Sequence, residues 1–241
     1  MKNILRYFSA GAFCVVLISC GTKKTEGPAS AMVKHISEAY GVNNFDKVET
    51  IRYTFNVLRD SADTISRSWE WEPKTGKVTF TGKNAQGDTI VRTYVRADVD
   101  KDTSALTKRI DHGFINDNYW LLFPYHLVWD SGDTIMMDSV RPFAIPPGSG
   151  EHLVVQYGAN GGYTPGDAYE LFVDSNYMVK QWVFHHGGMK EEGNPITWQH
   201  NAHVGPLTIP LEHCTPDGQP RLWFSNVAVK FTGESDWKKA E

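Results

Sequence analysis

Apolar and polar residues alternate with a period of two along much of this chain, and that alternation limits the fold more than any other feature. Ile51, Tyr53, Phe55 and Val57 are apolar, while Thr50, Arg52, Thr54 and Asn56 beside them are polar. Successive side chains of a strand point to opposite faces, so such a segment carries one dry and one wet face. The pattern returns at Trp69 and Trp71 around Glu70, at Val78 and Phe80 after the Lys74-Thr75-Gly76 turn, and from Thr89 to Ala97 after Gln86-Gly87-Asp88. Half-wet strands joined by turn residues predict an antiparallel meander, because parallel βαβ sheets need continuous apolar runs and crossover helices. Further strands are expected at 152–157, 169–174, 178–186, 196–204, 207–212 and 221–231. In the last of these, Trp223, Val227, Val229 and Phe231 are expected on a common face.

Two segments change rhythm. Met32, Val33, Ile36, Ala39 and Tyr40 fall at helical spacing between Ser30, placed as a cap, and Gly41. Asp102 is placed to cap a second helix in which Leu106, Ile110 and Phe114 recur every four residues. That helix runs into a dense aromatic knot, Asn118-Tyr119-Trp120-Leu121-Leu122-Phe123-Pro124-Tyr125-His126. The expected fold is mainly β (α+β), an antiparallel unclosed half-barrel sheet with a few capping helices, in a single domain over 30–241.

The amino terminus has a different logic. Lys2 and Arg6 precede an apolar run from Ala10 to Ser19, too short for the about 20 residues that span a bilayer but of signal-peptide length. The run ends Leu17-Ile18-Ser19-Cys20-Gly21, which resembles the bacterial lipobox. The resemblance implies that 1–19 is removed and that Cys20 is lipidated, anchoring the chain to the membrane through acyl groups that each contribute about 0.8 kcal/mol per buried CH₂. Residues 20–29 are then a short tether. Gly21 in place of aspartate favours the outer membrane of the cell envelope, facing the periplasm. Cys14 leaves with the signal and Cys20 is acylated, so Cys214 is the last thiol and no intrachain disulfide can form. About 200 residues can instead bury roughly 70% of their unfolded surface in a core of their own. Lys2 and Arg6 also leave, giving 22 basic against 28 acidic residues with no basic stripe. Nucleic acid is therefore excluded as a partner, since phosphate neutralisation needs clustered cations.

A short helix, a meander, an inserted mid-chain helix and further strands are together similar to the LolA/LolB-type lipoprotein-carrier superfamily. The closer likeness is to uncharacterised bacterial lipoproteins of that fold, through the knot at 118–126 and the segment Tyr169-Glu170-Leu171-Phe172-Val173-Asp174-Ser175-Asn176-Tyr177-Met178-Val179-Lys180-Gln181-Trp182. The resemblance implies a concave hydrophobic sheet face that holds acyl chains. No arginine of this chain matches the one that the soluble carrier places in its cavity.

The aromatic load points the same way. Trp69, Trp71, Tyr119, Trp129 and Phe184 join Trp120, Phe123, Tyr125, Trp182 and Trp198, and the last five are the residues expected to line an apolar cleft. Packing such rings into an ordinary core is the simpler use of any one of them. The expected ligand is a lipid, an acyl chain or another apolar small molecule; an envelope protein's strand or helix in the same groove is the alternative. His185, His186, His200, His203 and His213 cluster late in the chain, but neighbours in a strand point apart, so they are expected at surfaces or strand edges and not around a metal. There is no Gly-x-Ser-x-Gly elbow, His-Glu-x-x-His or Gly-x-x-x-x-Gly-Lys, so no cofactor and no enzymatic activity is expected; an unrecognised hydrolase is the third reading.

Overall fold

The structure is a computed structural model that describes residues 27–60, 63–131, 133–159 and 164–241. Cys20, the signal segment 1–19 and most of the tether lie outside the described residues.

The first helix, α1 (Pro28–Ala39), begins with Pro28, whose missing N–H is no loss in a first turn. Gly27 takes the N-cap position expected for Ser30, which sits inside the helix, so the helix begins three residues earlier than expected. The helix stops at Gly41, where φ is 92° and a Cβ would stand 2.3 Å from the Pro206 carbonyl, so only glycine fits.

Four strands follow: β1 (Val48–Asp60), β2 (Asp63–Glu72), β3 (Lys77–Lys83) and β4 (Thr89–Val95). After α2 (Ala105–Trp129) come β5 (Asp133–Pro142), β6 (Ser149–Tyr157), β7 (Ala168–Val173), β8 (Val179–His185) and β9 (Asn194–Thr197). The chain finishes with β10 (Gln199–Val204), β11 (Leu207–Cys214), β12 (Pro220–Phe231) and β13 (Lys238–Lys239). All pairings among them are antiparallel and neither sheet closes. One sheet runs β10-β11-β12-β1-β2-β3-β4 with β13 beside β12, the other β5-β6-β7-β8-β9. The protein is thus mainly β, with unclosed antiparallel sheets and a few helices.

The segment expected as one strand at 196–204 is two, and the break transfers the chain between sheets. Trp198 still donates its N–H to the Lys180 carbonyl of β8 at 2.7 Å, while Gln199 is already paired with Glu212 of β11. The expected common face of β12 is also different. A bulge at Arg52/Thr54 against Ser225–Ala228, with Asn226 at φ 55°, shifts the alternation by one residue. Leu222 and Phe224 therefore point inward before the bulge and Val227, Val229 and Phe231 after it, while Trp223 opposes Asn56 on the polar face. The strand β5 was not expected from the sequence. It is an edge strand whose exposed residues include Met136 and Val140, which erases the polar half of the alternation.

The knot at 118–126 lies within α2, whose N-cap is Ser104 and not Asp102; Ser104 Oγ accepts from the Thr107 N–H at 3.3 Å. Pro124 sits inside this helix and Leu122 leaves helical geometry at φ −126°, ψ 20°. Proline has no N–H to offer the carbonyl four residues back, so the Trp120 carbonyl loses its helical partner and the helix bends. The bent helix packs against both sheets. Phe114 meets Trp69 and Trp71 of β2, and Phe123 meets Tyr169 of β7 and Trp182 of β8. One contiguous core results, joining the sheets through α2.

Candidate functional site

Because α2 lies between the sheets, what remains open is the seam along one side of the helix. There, two recesses adjoin. The first, of about 490 Å³, has His112, Ile115, Asn116, Tyr119 and Trp120 of α2 on one side, facing Tyr169, Trp182 and Phe184 of the second sheet. The second, of about 280 Å³, lies between Phe55, Val57 and Arg67 of the first sheet and Phe184 and Ile196 of the second, with Arg221 and Leu222 closing it. Both share Asn116, Trp120 and Phe184, so Trp120 stands between them. Apolar side chains supply most of the second recess, with Arg67, Asn116, Asn194 and Arg221 as its polar members.

A larger hollow of about 740 Å³ lies over the polar face of the first sheet, lined by Arg52, Thr54, Ser68, Glu70, Thr79 and Thr81 among others. Its hydroxyls bond to one another, as in Thr54–Ser68 at 2.9 Å. This is the wet face that the period-two alternation requires, and its chemistry does not suit an apolar ligand.

The five residues expected to line a cleft separate into two groups. Trp120 is half-buried and lines both recesses, and Trp182 forms part of the wall of the first. Phe123 and Tyr125 are fully buried and Trp198 is 1% exposed, so these three are core residues with no surface facing the groove. The reason is the helix: once α2 occupies the concavity, residues on its inner side pack against the sheets instead of facing an open trough. Tyr125 has a structural use for its hydroxyl, which donates to the Tyr40 and Thr208 carbonyls and ties α2 to the end of α1 and to β11.

Beneath the groove lies an ion pair between two residues that are not among those expected at the site. Arg67 of β2 donates Nε to Asp117 Oδ2 at 2.7 Å and a terminal nitrogen to Oδ1 at 2.5 Å. Trp69 Nε1 and Asn116 Nδ2 donate to the same carboxylate at 2.8 and 3.0 Å. The Asp117 side chain is wholly buried, whereas Arg67 keeps 27% of its side-chain surface exposed at the groove. Burial pushes the Asp117 carboxyl above its ordinary range, and the Arg67 guanidinium beside it works in the opposite direction. The signal was present in the sequence. Ile110, Phe114, Asp117 and Leu121 fall on one helical face, and a carboxylate on an apolar face demands a buried partner.

The histidines correct the sequence expectation of surface positions at two places. His213 is completely buried, its ring 4.7 Å from Trp198 and 5.3 Å from Trp120. Its Nδ1 lies 3.2 Å from the Thr197 carbonyl, and the Trp120 carbonyl released by Pro124 is its other polar neighbour. Burial pushes its pKa down to about 3, so it is neutral at ordinary pH. His185 is also buried: its Nε2 and that of His152 lie 2.8 and 2.7 Å from the two oxygens of Glu170. His186, pointing the other way, is exposed, as are His200 and His203. Among the described residues, no three His, Cys, Asp or Glu side chains gather as they would around a metal ion. Cys214 is buried and burial raises its thiol pKa, which keeps it from thiolate chemistry. Among the described residues, no helix is long and apolar enough to cross a membrane.

No family model and no curated protein matches this chain. Solved structures give similarities of chain path. A DUF1329 family protein from Desulfovibrio piger is 11% identical, covering 88% of this chain and 96% of its own, with a TM-score of 0.44. A LolA superfamily protein from Nitrosomonas europaea is 8% identical, covering 84% of this chain and 93% of its own, with a TM-score of 0.48. A Pseudomonas aeruginosa MucA/MucB complex chain is 11% identical over 89% of this chain and 57% of its own, with a TM-score of 0.26. At these identities the likeness concerns the course of the backbone alone.

Proposed function

We propose that this chain is a non-enzymatic lipoprotein of the bacterial envelope, anchored through Cys20, that binds an acyl chain or a similar apolar ligand along the seam between α2 and the sheets. The observation that carries the reading is the pair of adjoining recesses, about 490 and 280 Å³, that share Trp120, Phe184 and Asn116. Their volumes are on the scale of ligand pockets, which are apolar with a few polar groups. Dispersion and desolvation against Trp120, Trp182, Phe184, Val57 and Ile196 supply affinity, and Arg67, Arg221 and Asn116 flank the polar end.

Every described contact of the core lies within residues 27–241, so a chain beginning at Gly21 keeps all of them and serves for binding assays. It is expected to bind a fluorescent fatty acid, and Asn116→Trp, which fills the point common to both recesses, is expected to weaken that binding at least about tenfold, with the thermal midpoint lowered only by the loss of its hydrogen bond to Asp117. Absence of binding by the parent chain, with no lipid in extracts of protein purified from its native envelope, would refute the reading.

A second reading is favoured by β5. It is the edge of its sheet, and Met136 and Val140 on it are more than half exposed. Such an edge can accept the strand of an envelope partner protein. Capture of one defined partner, lost on Met136→Pro, would support it.

A further inference from the structure

The wall of the first recess and the core layer behind it each hold an indole N–H that the fold leaves unused. Trp182 and Trp198 lie against each other at a centroid distance of 5.2 Å with their planes tilted by 57°, and both are 2% exposed or less. Among the described residues, neither indole Nε1 has a hydrogen-bond partner. The same indole group of Trp69 reaches Asp117, and around the pair the Thr164 hydroxyl in the recess and His213 Nε2 behind it are likewise without a partner among the described residues. A buried tryptophan N–H normally finds an acceptor, and an unmet one costs free energy. Two unmet donors on touching rings, one at the wall of an apolar groove and the other directly behind it, therefore mark the place where an acceptor is favoured.

One side chain stands against this wall. Trp120 is half-buried, lies 4.3 Å from the Trp182 ring and separates the two recesses. It belongs to the turn of α2 that Pro124 loosens. The charge of the acceptor is also decided by the surroundings. The rings that touch the two indoles, Phe123 and Tyr169 at Trp182 and the neutral His213 at Trp198, carry no positive charge to compensate an anion. A bare carboxylate would be stranded there, whereas an uncharged carbonyl would not.

We propose, building on the groove reading above, that the deep end of the groove recognises an uncharged carbonyl, an ester or amide joined to a hydrocarbon chain, which reaches the indole N–H groups of Trp182 and Trp198 when Trp120 turns aside. The hydrocarbon then occupies the recesses, and the two N–H groups set the preference for esters over plain hydrocarbons.

The test is displacement of 1-anilinonaphthalene-8-sulfonate from the chain beginning at Gly21 by methyl dodecanoate and by n-tridecane, repeated in a Trp182→Phe/Trp198→Phe variant that keeps aromatic rings and removes both donors. The ester is expected to displace the probe at about tenfold lower concentration than the alkane, and the ratio is expected to fall to about one in the variant. Equal displacement by the two compounds in the parent chain overturns this inference and leaves the groove reading standing. A preference that survives in the variant overturns it as well. Displacement by neither compound overturns the groove reading and this inference with it. Should the variant not fold, the parent chain labelled with ¹⁵N at its indoles decides: methyl dodecanoate is expected to move two buried indole N–H resonances downfield and tridecane to move neither, and any other pattern overturns the proposal.

Discussion

Replacing Arg67 by methionine isolates the ion pair beneath the groove. The Asp117 carboxylate is wholly buried and accepts four N–H groups, two of them from Arg67 at 2.7 and 2.5 Å. Methionine roughly preserves the volume over the Phe55 ring, on which the guanidinium stacks at 4.6 Å, but strands the carboxylate with only Trp69 and Asn116. Breaking a buried pair in this way costs about 3–5 kcal/mol. For a slope of about 2–3 kcal/mol per molar urea, that is a fall of roughly 1–2.5 M in the unfolding midpoint. The loss has a characteristic pH dependence. Burial already raises the Asp117 pKa above its ordinary value of 3.8, and losing the cation raises it further. The folded variant thus holds a proton that the unfolded chain releases, and stability is lost as pH rises from the unfolded value through the raised folded one. Urea titrations followed by far-ultraviolet circular dichroism should show the deficit growing with pH across this window, and the double variant Arg67→Met/Asp117→Leu should regain most of it. A deficit under about 1 kcal/mol that is flat with pH would refute the claim that Arg67 compensates a buried charge.

Three further outcomes are expected. Glu170 has its pKa held below the ordinary 4.5 by the hydrogen bond from His152 and then that from His185, so its contribution is present above 4.5 and is lost as pH falls through the lowered value; acid titrations of Glu170→Gln should show a shallower loss of stability in that limb than the parent. Phe123→Ala removes a fully buried ring packed against Tyr169 and Trp182, and differential scanning calorimetry should register a cost of about 3–5 kcal/mol. Cys20→Ala, expressed in a bacterial host, should move the protein from the membrane pellet into the soluble fraction, whereas retention in the pellet would count against the acyl anchor.

Much of the fold was legible because local chemistry and tertiary environment agree. Ile51, Tyr53, Phe55 and Val57 alternate with polar residues, and β1 buries that face with no tertiary conflict. Where a backbone irregularity intervenes, local counting fails. At β12 a single bulge moved Trp223 to the opposite face from Val227, because the side-chain period is two and one extra residue reverses it. At β5 the alternation is hidden by exposed Met136 and Val140 on a sheet edge. The aromatic knot was visible as composition, but its allocation was not. Trp120 faces the groove and Phe123 the core although residues three apart share a face of a regular helix, because Leu122 between them leaves helical geometry, and only the position of the sheets says which side is closed.

From its residues alone, this protein is determined to be a β-rich chain with three cysteines, a lipobox-like segment at 17–21 and no basic stripe, since patterning, cysteine count and charge are properties of the order of residues. Only the tertiary structure decided that α2 fills the concavity, that Arg67 meets Asp117 fifty residues away, and that Trp182 and Trp198 keep their N–H groups dry beside Trp120. Those facts depend on which elements bury each other's faces, and burial is settled by packing between distant segments, which no local window contains.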